Sequence, residues 1–137
     1  MKILLMVNIT KLQNSYLRIK DYINKTPILI SEKLNQDFNA SFYLKNEVEQ
    51  VTGSFKIRGA LSALSKLKEN NINGVVAYSS GNHAQGVSKA AQIFDMHAII
   101  VMPKDAPQNK IDKTLANGAE VVPVSYTHLT LPTTYTV

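Results

Sequence analysis

Lys56 stands in "TGSFKIRGA", residues 52–60, between Phe55 and Ile57 and just ahead of an apolar helical run. A helix N-terminus already carries partial positive charge, so an ammonium is unfavourable there. The same field favours the neutral amine, the nucleophile that condenses with a carbonyl to a Schiff base. A lysine whose stem packs beside Phe55 with its charge in water is the plainer reading. The second stretch able to do chemistry is "SSGNHAQG", residues 79–86. Its Gly81 permits close backbone approach, and its turn N–H groups and helix dipole attract a carboxylate or phosphate. Ser79, Ser80 and Asn82 add side-chain donors. Serine and asparagine are also ordinary N-cap residues, and the motif by itself leaves capping and anion binding equally open. His83 reads as an oriented polar residue of the turn rather than a general base. No His, Asp and Glu set has metal-ligand spacing and no nucleophile–histidine–acid set is defensible, so no metal is expected.

The elements around these stretches decide whether they meet. Ile57, Ala60, Leu61, Leu64 and Leu67 form one helical stripe ending at "ENNING". "VVAYS" reads as a buried strand, and "GNHAQGVSKAAQIFD" as a helix with Val87, Ala90, Ala91 and Phe94 on one face. "HAIIVMP" is a second apolar strand. "APQNKIDKTLANG" is a helix with Pro107 near its start and Gly118 as a left-handed end, and "AEVV" opens a third strand. Alternating helices and strands predict an open parallel α/β sheet with right-handed crossovers. In such a sheet each strand ends, and each following helix begins, at the carboxyl edge where ligands bind. Lys56 and residues 79–83 are therefore expected at one edge. Upstream, Leu12, Tyr16, Ile19 and Ile23 recur at helical spacing, with Pro27 closing the run. "PILIS" and "SFYLK" read as short strands or extended pieces separated by a polar connection.

The 137 residues, 45% hydrophobic and 18% charged, suffice for one ordinary globular core. Cysteine is absent, which excludes a disulfide framework or thiolate metal site and fits a reducing, cytoplasmic setting. The net charge of +5 is scattered among acids, with no basic stripe carrying interleaved aromatics, so no nucleic-acid partner is expected. "MKILLMVNITK" is too short to span a bilayer and no small-residue cleavage site follows it, so no membrane association is expected either. At the other end, Val124 to Thr133 back-translates to the read-through of a common transposon sequencing adapter. Residues 124–137 are accordingly expected to be a non-native tail, and His128 is set aside as a site candidate.

"KTPILISEKLN", "TGSFKIRGA", "SSGNHAQGVSKAAQ", "IIVMPKDAPQNKID" and "GAEVV", in that order and spacing, resemble the N-terminal part of the serine/threonine dehydratase and serine racemase family. The resemblance covers roughly residues 6 to 122. It implies a partial fold-type II, tryptophan synthase β-like fold: an open parallel three-layer sheet with pyridoxal 5'-phosphate as cofactor. Residues 1–50 would open the large domain and 51–123 would form most of the small domain. Lys56 would hold the cofactor, Phe55 would pack on its ring, and Asn82 would bond its ring oxygen. Ser79, Ser80, Gly81, Asn82 and His83 would hold the carboxylate of a small amino-acid substrate, with Ser80 as the second base of a racemase activity. The implied reaction converts L-serine or L-threonine to a 2-oxo acid and ammonia, in a homo-oligomer when full length. Related synthases acting on O-activated serine typically carry an acid where this chain has Ile57. The family's glycine-rich phosphate loop has no counterpart here, so the chain alone is expected to be an inactive N-terminal fragment. A non-catalytic α/β module binding an anionic metabolite is the alternative from another class.

Overall fold

The computed structural model describes residues 8–125. The chain runs α1 (Ile9–Ile19), β1 (Ile28–Ile30), α2 (Glu32–Phe38), β2 (Tyr43–Lys45), α3 (Lys56–Glu69), β3 (Gly74–Tyr78), α4 (Asn82–Ile93), β4 (His97–Pro103), α5 (Gln108–Ala116) and β5 (Glu120–Val124). Strands β3, β4 and β5 form a parallel sheet in sequence order, with Ala77 opposite Ile100 and Ile100 opposite Val121. Both crossovers therefore run the same way across the sheet, and right-handedness puts α4 and α5 on one face. Ala98, Ile100 and Met102 of the central strand are buried toward that helical layer. There they join Ile57, Leu61 and Leu64 of α3 and Ala84, Val87, Ala90 and Ala91 of α4 in one core. These are the stripes the sequence spacing predicts. On the opposite face Val76 is 71% exposed, and Ile99, Val101 and Val122 are only partly covered. The described residues thus hold two of the three layers expected, one of helices and the sheet.

The opening segment is built differently. β1 and β2 pair antiparallel, Leu29 opposite Leu44, and every residue of both strands is exposed. The connection between them, read as merely polar, contains α2. Ser31 caps it by accepting the N–H of Leu34, and Asn39 ends it in the left-handed region at φ 46°. Helix α1 also departs from expectation. Leu12 and Tyr16 face solvent, whereas Ser15, Arg18 and Ile19 face α3, through Ser15–Ser62 and Arg18–Ser65 hydrogen bonds and the buried Ile19. Ile19 and Ile23 of the predicted stripe do reach the core, so periodicity holds for its second half and fails for Leu12 and Tyr16.

A polar network joins this segment to α3. Glu47, in a short 3-10 turn (Glu47–Glu49), accepts two 2.8 Å hydrogen bonds from the Arg58 guanidinium and one of 2.6 Å from Thr26 Oγ1. Buried Gln50 accepts the N–H of Asn24 at 2.8 Å and of Val51 at 3.0 Å, and donates to Asn24 O at 3.0 Å. The Arg58 guanidinium beside it holds the Glu47 carboxyl down to about 2, and Thr26 reinforces this against the opposing effect of burial. Among the described residues no helix is long and apolar enough to cross a membrane.

Candidate functional site at the carboxyl edge of the parallel sheet

Lys56 is the first residue of α3, and its Nζ lies 4.8 Å from the centroid of the exposed Phe55 ring. The lysine–phenylalanine packing offered as the plainer reading is therefore present, and it leaves the amine accessible at the edge. Ser79 follows β3; its N–H donates to Val101 O and its Oγ accepts the Gly81 N–H at 3.2 Å. Gly81 precedes α4, and Ser80, Asn82 and His83 are exposed. No side chain caps α4, since Ser79 is turned back on its own loop; α3 and α5 are uncapped as well. None of the three helices has an acid in its first turn. The capping alternative is thus not realised. Three helix N-termini with unneutralised dipoles open at this edge, an arrangement that favours an anion.

Gly86 brings the two sequence stretches together. A Cβ at Gly86 would lie 3.2 Å from Lys56 C and 3.3 Å from both Lys56 O and Ile57 N. That closeness seats α4 on the peptide that carries Lys56. His83 is near enough for the Lys56 ammonium to matter: loss of solvent, and then that positive charge, lower its pKa below the ordinary value. Both effects favour the neutral imidazole.

One participant is absent from the sequence expectations. Lys110 of α5 donates from Nζ to Asn82 Oδ1 at 2.8 Å. An ammonium only donates, so this bond fixes which way the Asn82 amide faces and leaves Nδ2 as the donor for anything bound at the edge. Lys110 and Asn82 are 28 residues apart, and a lysine beside Asp112 on an amphipathic helix reads as ordinary surface.

The residues fit a pyridoxal phosphate ring. Its aldehyde needs a free amine, which Lys56 offers. Its ring oxygen needs a donor, which Asn82 Nδ2 offers. Thr52 Oγ1, Ser54 Oγ and Gln85 Nε2 are buried without a hydrogen-bond partner, on segments immediately adjoining Lys56 and Gly86. Buried polar groups are seldom left unpaired, so these three call for a partner that the described residues do not supply. Among the described residues no group of three or more His, Asp or Glu is gathered to hold a metal ion.

Comparisons with known proteins identify the family. The family model described as "Pyridoxal-phosphate dependent enzyme" matches residues 19–134, and the chain belongs to that family. It is 48% identical over 106 residues to the L-threo-3-hydroxyaspartate ammonia-lyase of Saccharomyces cerevisiae, covering 77% of this chain and 32% of that protein. It is 44% identical over 118 residues to the L-threonine ammonia-lyase of Thermotoga maritima, covering 85% of this chain and 29% of that protein. The crystal structure of serine racemase from Dictyostelium discoideum superposes with a TM-score of 0.82 at 37% identity, over 89% of this chain and 40% of that one. The fold is accordingly that of the fold-type II pyridoxal-phosphate enzymes. The chain spans about a third of the length of the curated relatives it matches.

Proposed function

We propose that this chain is the front part of a pyridoxal-phosphate dependent ammonia-lyase that converts L-serine or L-threonine to a 2-oxo acid and ammonia. The observation that carries the reading is the meeting, through Gly86, of an accessible Lys56 amine with an uncapped, donor-rich turn at the carboxyl edge. Lys56 would hold the cofactor through Nζ, and its amine, when free, would take the proton from Cα. The cofactor, when bound, supplies an electron sink for the charge left at Cα. Phe55 lines the ring, and Asn82 Nδ2 donates to the ring oxygen. The N–H groups of residues 79–83, with Ser79 and Ser80, hold the substrate carboxylate and so orient Cα toward Lys56. The proton that Lys56 takes from Cα would pass to the β-hydroxyl, which leaves as water, and hydrolysis of the resulting enamine would release ammonia. Residues 51–123 then form most of the small domain and residues 1–50 the start of the large one. The setting is cytoplasmic and the full-length protein a homo-oligomer.

The test is made on the full-length protein. It should bind pyridoxal phosphate with a visible absorbance band that Lys56→Ala removes. It should also release 2-oxo acid from serine, threonine or 3-hydroxyaspartate in preference to O-acetylserine. A colourless wild-type protein would instead support the non-catalytic anion-binding module. The 137-residue chain alone should show no turnover with added cofactor. Ser80 supports a second activity. It is exposed on the turn that grips the carboxylate, where its hydroxyl can serve the face of Cα opposite Lys56. Ser80→Ala should abolish conversion of L-serine to D-serine and largely spare elimination. A proportional loss of both would mark Ser80 as a binding residue.

A further inference from the structure

Between Asn46 and Phe55 the chain has a single 3-10 turn and no ladder of main-chain bonds, so local structure does not fix where α3 starts. The polar network does. Gln50, only 4% exposed, stitches residue 51 to residue 24, and Gly53 at φ 70° turns the chain toward α3 through its N–H to Gln50 O at 2.7 Å. Glu47 then grips Arg58 in a two-pronged contact while Thr26 satisfies the same carboxylate. Arg58 is two residues beyond Lys56, about 200° around the helix axis at ~100° per residue. The first turn of α3 is therefore held by two unrelated contacts, Gly86 against the Lys56 peptide and Glu47 on the Arg58 side chain.

We infer that the Glu47–Arg58 pair, with Gln50 and Thr26, is a positioning clamp that aims Lys56 at the cofactor. The inference rests on the function proposed above. As a source of stability alone the pair is a modest device. Its partners are 30% and 15% exposed, and a partly solvated ion pair adds little net free energy. What the planar fork does enforce is an angle, because both N–H bonds must be in line together. A reactive amine is sensitive to that kind of constraint, since sub-ångström misplacement erodes rate and binding steeply. The opening segment, little of which enters the apolar core, thereby contributes to the site without touching it.

The experiment uses the full-length protein and compares Arg58→Lys, which keeps the charge and loses the fork, with Glu47→Gln, which keeps the shape and loses the charge. Lys89→Met, which removes an exposed Lys89–Gln92 contact on α4, serves as control. Pyridoxal phosphate affinity is read by absorbance titration and apoprotein stability by thermal unfolding. Both clamp variants should bind the cofactor about tenfold more weakly, with a shifted visible band. Their apoprotein midpoints should move by less than about 4 °C, and the control should change neither. Wild-type affinity and spectrum in both clamp variants would overturn the inference. So would a weakening fully accounted for by the fraction unfolded. A wild-type protein that binds no cofactor, or a Lys56→Ala variant that binds and colours like wild type, would overturn the proposed function and this inference with it.

Discussion

Leu61 and Leu29 are the same side chain in opposite circumstances. Leu61, on α3, is completely buried among the α4 and β4 side chains, whereas Leu29, at the centre of β1, is 47% exposed. The contrast extends to their surroundings. From α3 onward the molecule is organised by apolar burial, with sheet and helices sharing one core. Before α3 it is organised by polar bonds, with Gln50, Glu47 and Arg58 doing what side-chain packing does elsewhere. Burial is tolerant of direction, and hydrogen bonds are not. Lys56 sits where the two regimes join.

The sharpest way to break the comparison is to remove the same atoms from both halves. Leu61→Ala should destabilise the chain by about 3 kcal/mol, the range for a leucine cavity in a closed core. Leu29→Ala should cost less than about 1 kcal/mol, because much of that side chain is already in water. Urea unfolding of the two variants measures both, and equal losses would show the opening segment to be packed after all.

Acid probes the polar half in turn. The Glu47 carboxyl titrates near 4.5 when unfolded and is held to about 2 in the fold. Its stabilising effect is therefore fully present above pH 4.5 and lost as pH falls toward 2. Allowing for the solvent that reaches Arg58, the loss should be no more than about 1 kcal/mol. Unfolding free energy followed from pH 5 to pH 2 should fall more steeply in wild type than in Glu47→Gln. Parallel curves would remove Glu47 from the account.

The smallest expected effect concerns the site itself. Lys110→Met keeps the stem of the side chain and loses the bond to Asn82 Oδ1, freeing the amide to turn. In the full-length protein this should weaken cofactor affinity about threefold to fivefold without moving the melting temperature, a change equivalent to one exposed hydrogen bond. Unchanged affinity would mean that Asn82 needs no partner to hold its orientation.

These residues also show what the sequence alone could reveal. Lys56 and residues 79–83 could be placed together because alternating helices and strands admit few topologies, and the crossover rule sends both to one edge. The core stripes of α3 and α4 were visible for the same reason, since periodicity reports burial. Glu47 and Arg58 are 11 residues apart and belong to no repeating pattern, so nothing marked them as partners. Lys110 needed the packing of α5 beside α4 before its neighbour could be known. Helix α2 was missed because seven residues without a buried face carry no stripe, although Ser31 and Asn39 were fair signs of its ends. Apolar contacts announce themselves in a sequence, and one-off polar contacts do not.

Gly86 has a mechanical consequence. Helix α4 is a rod of 12 residues, about 18 Å long, whose N-terminal end carries the turn and whose second turn bears on the Lys56 peptide. A tilt of that rod carries the turn and the lysine in the same direction, as a shared bearing does for two parts mounted on it. The spacing between Lys56 and the turn is therefore preserved while the pair swings as a unit. Motion arriving at the far end of α4, where Phe94 meets Tyr22 edge-on, would reach the edge as a change of aim with the spacing intact.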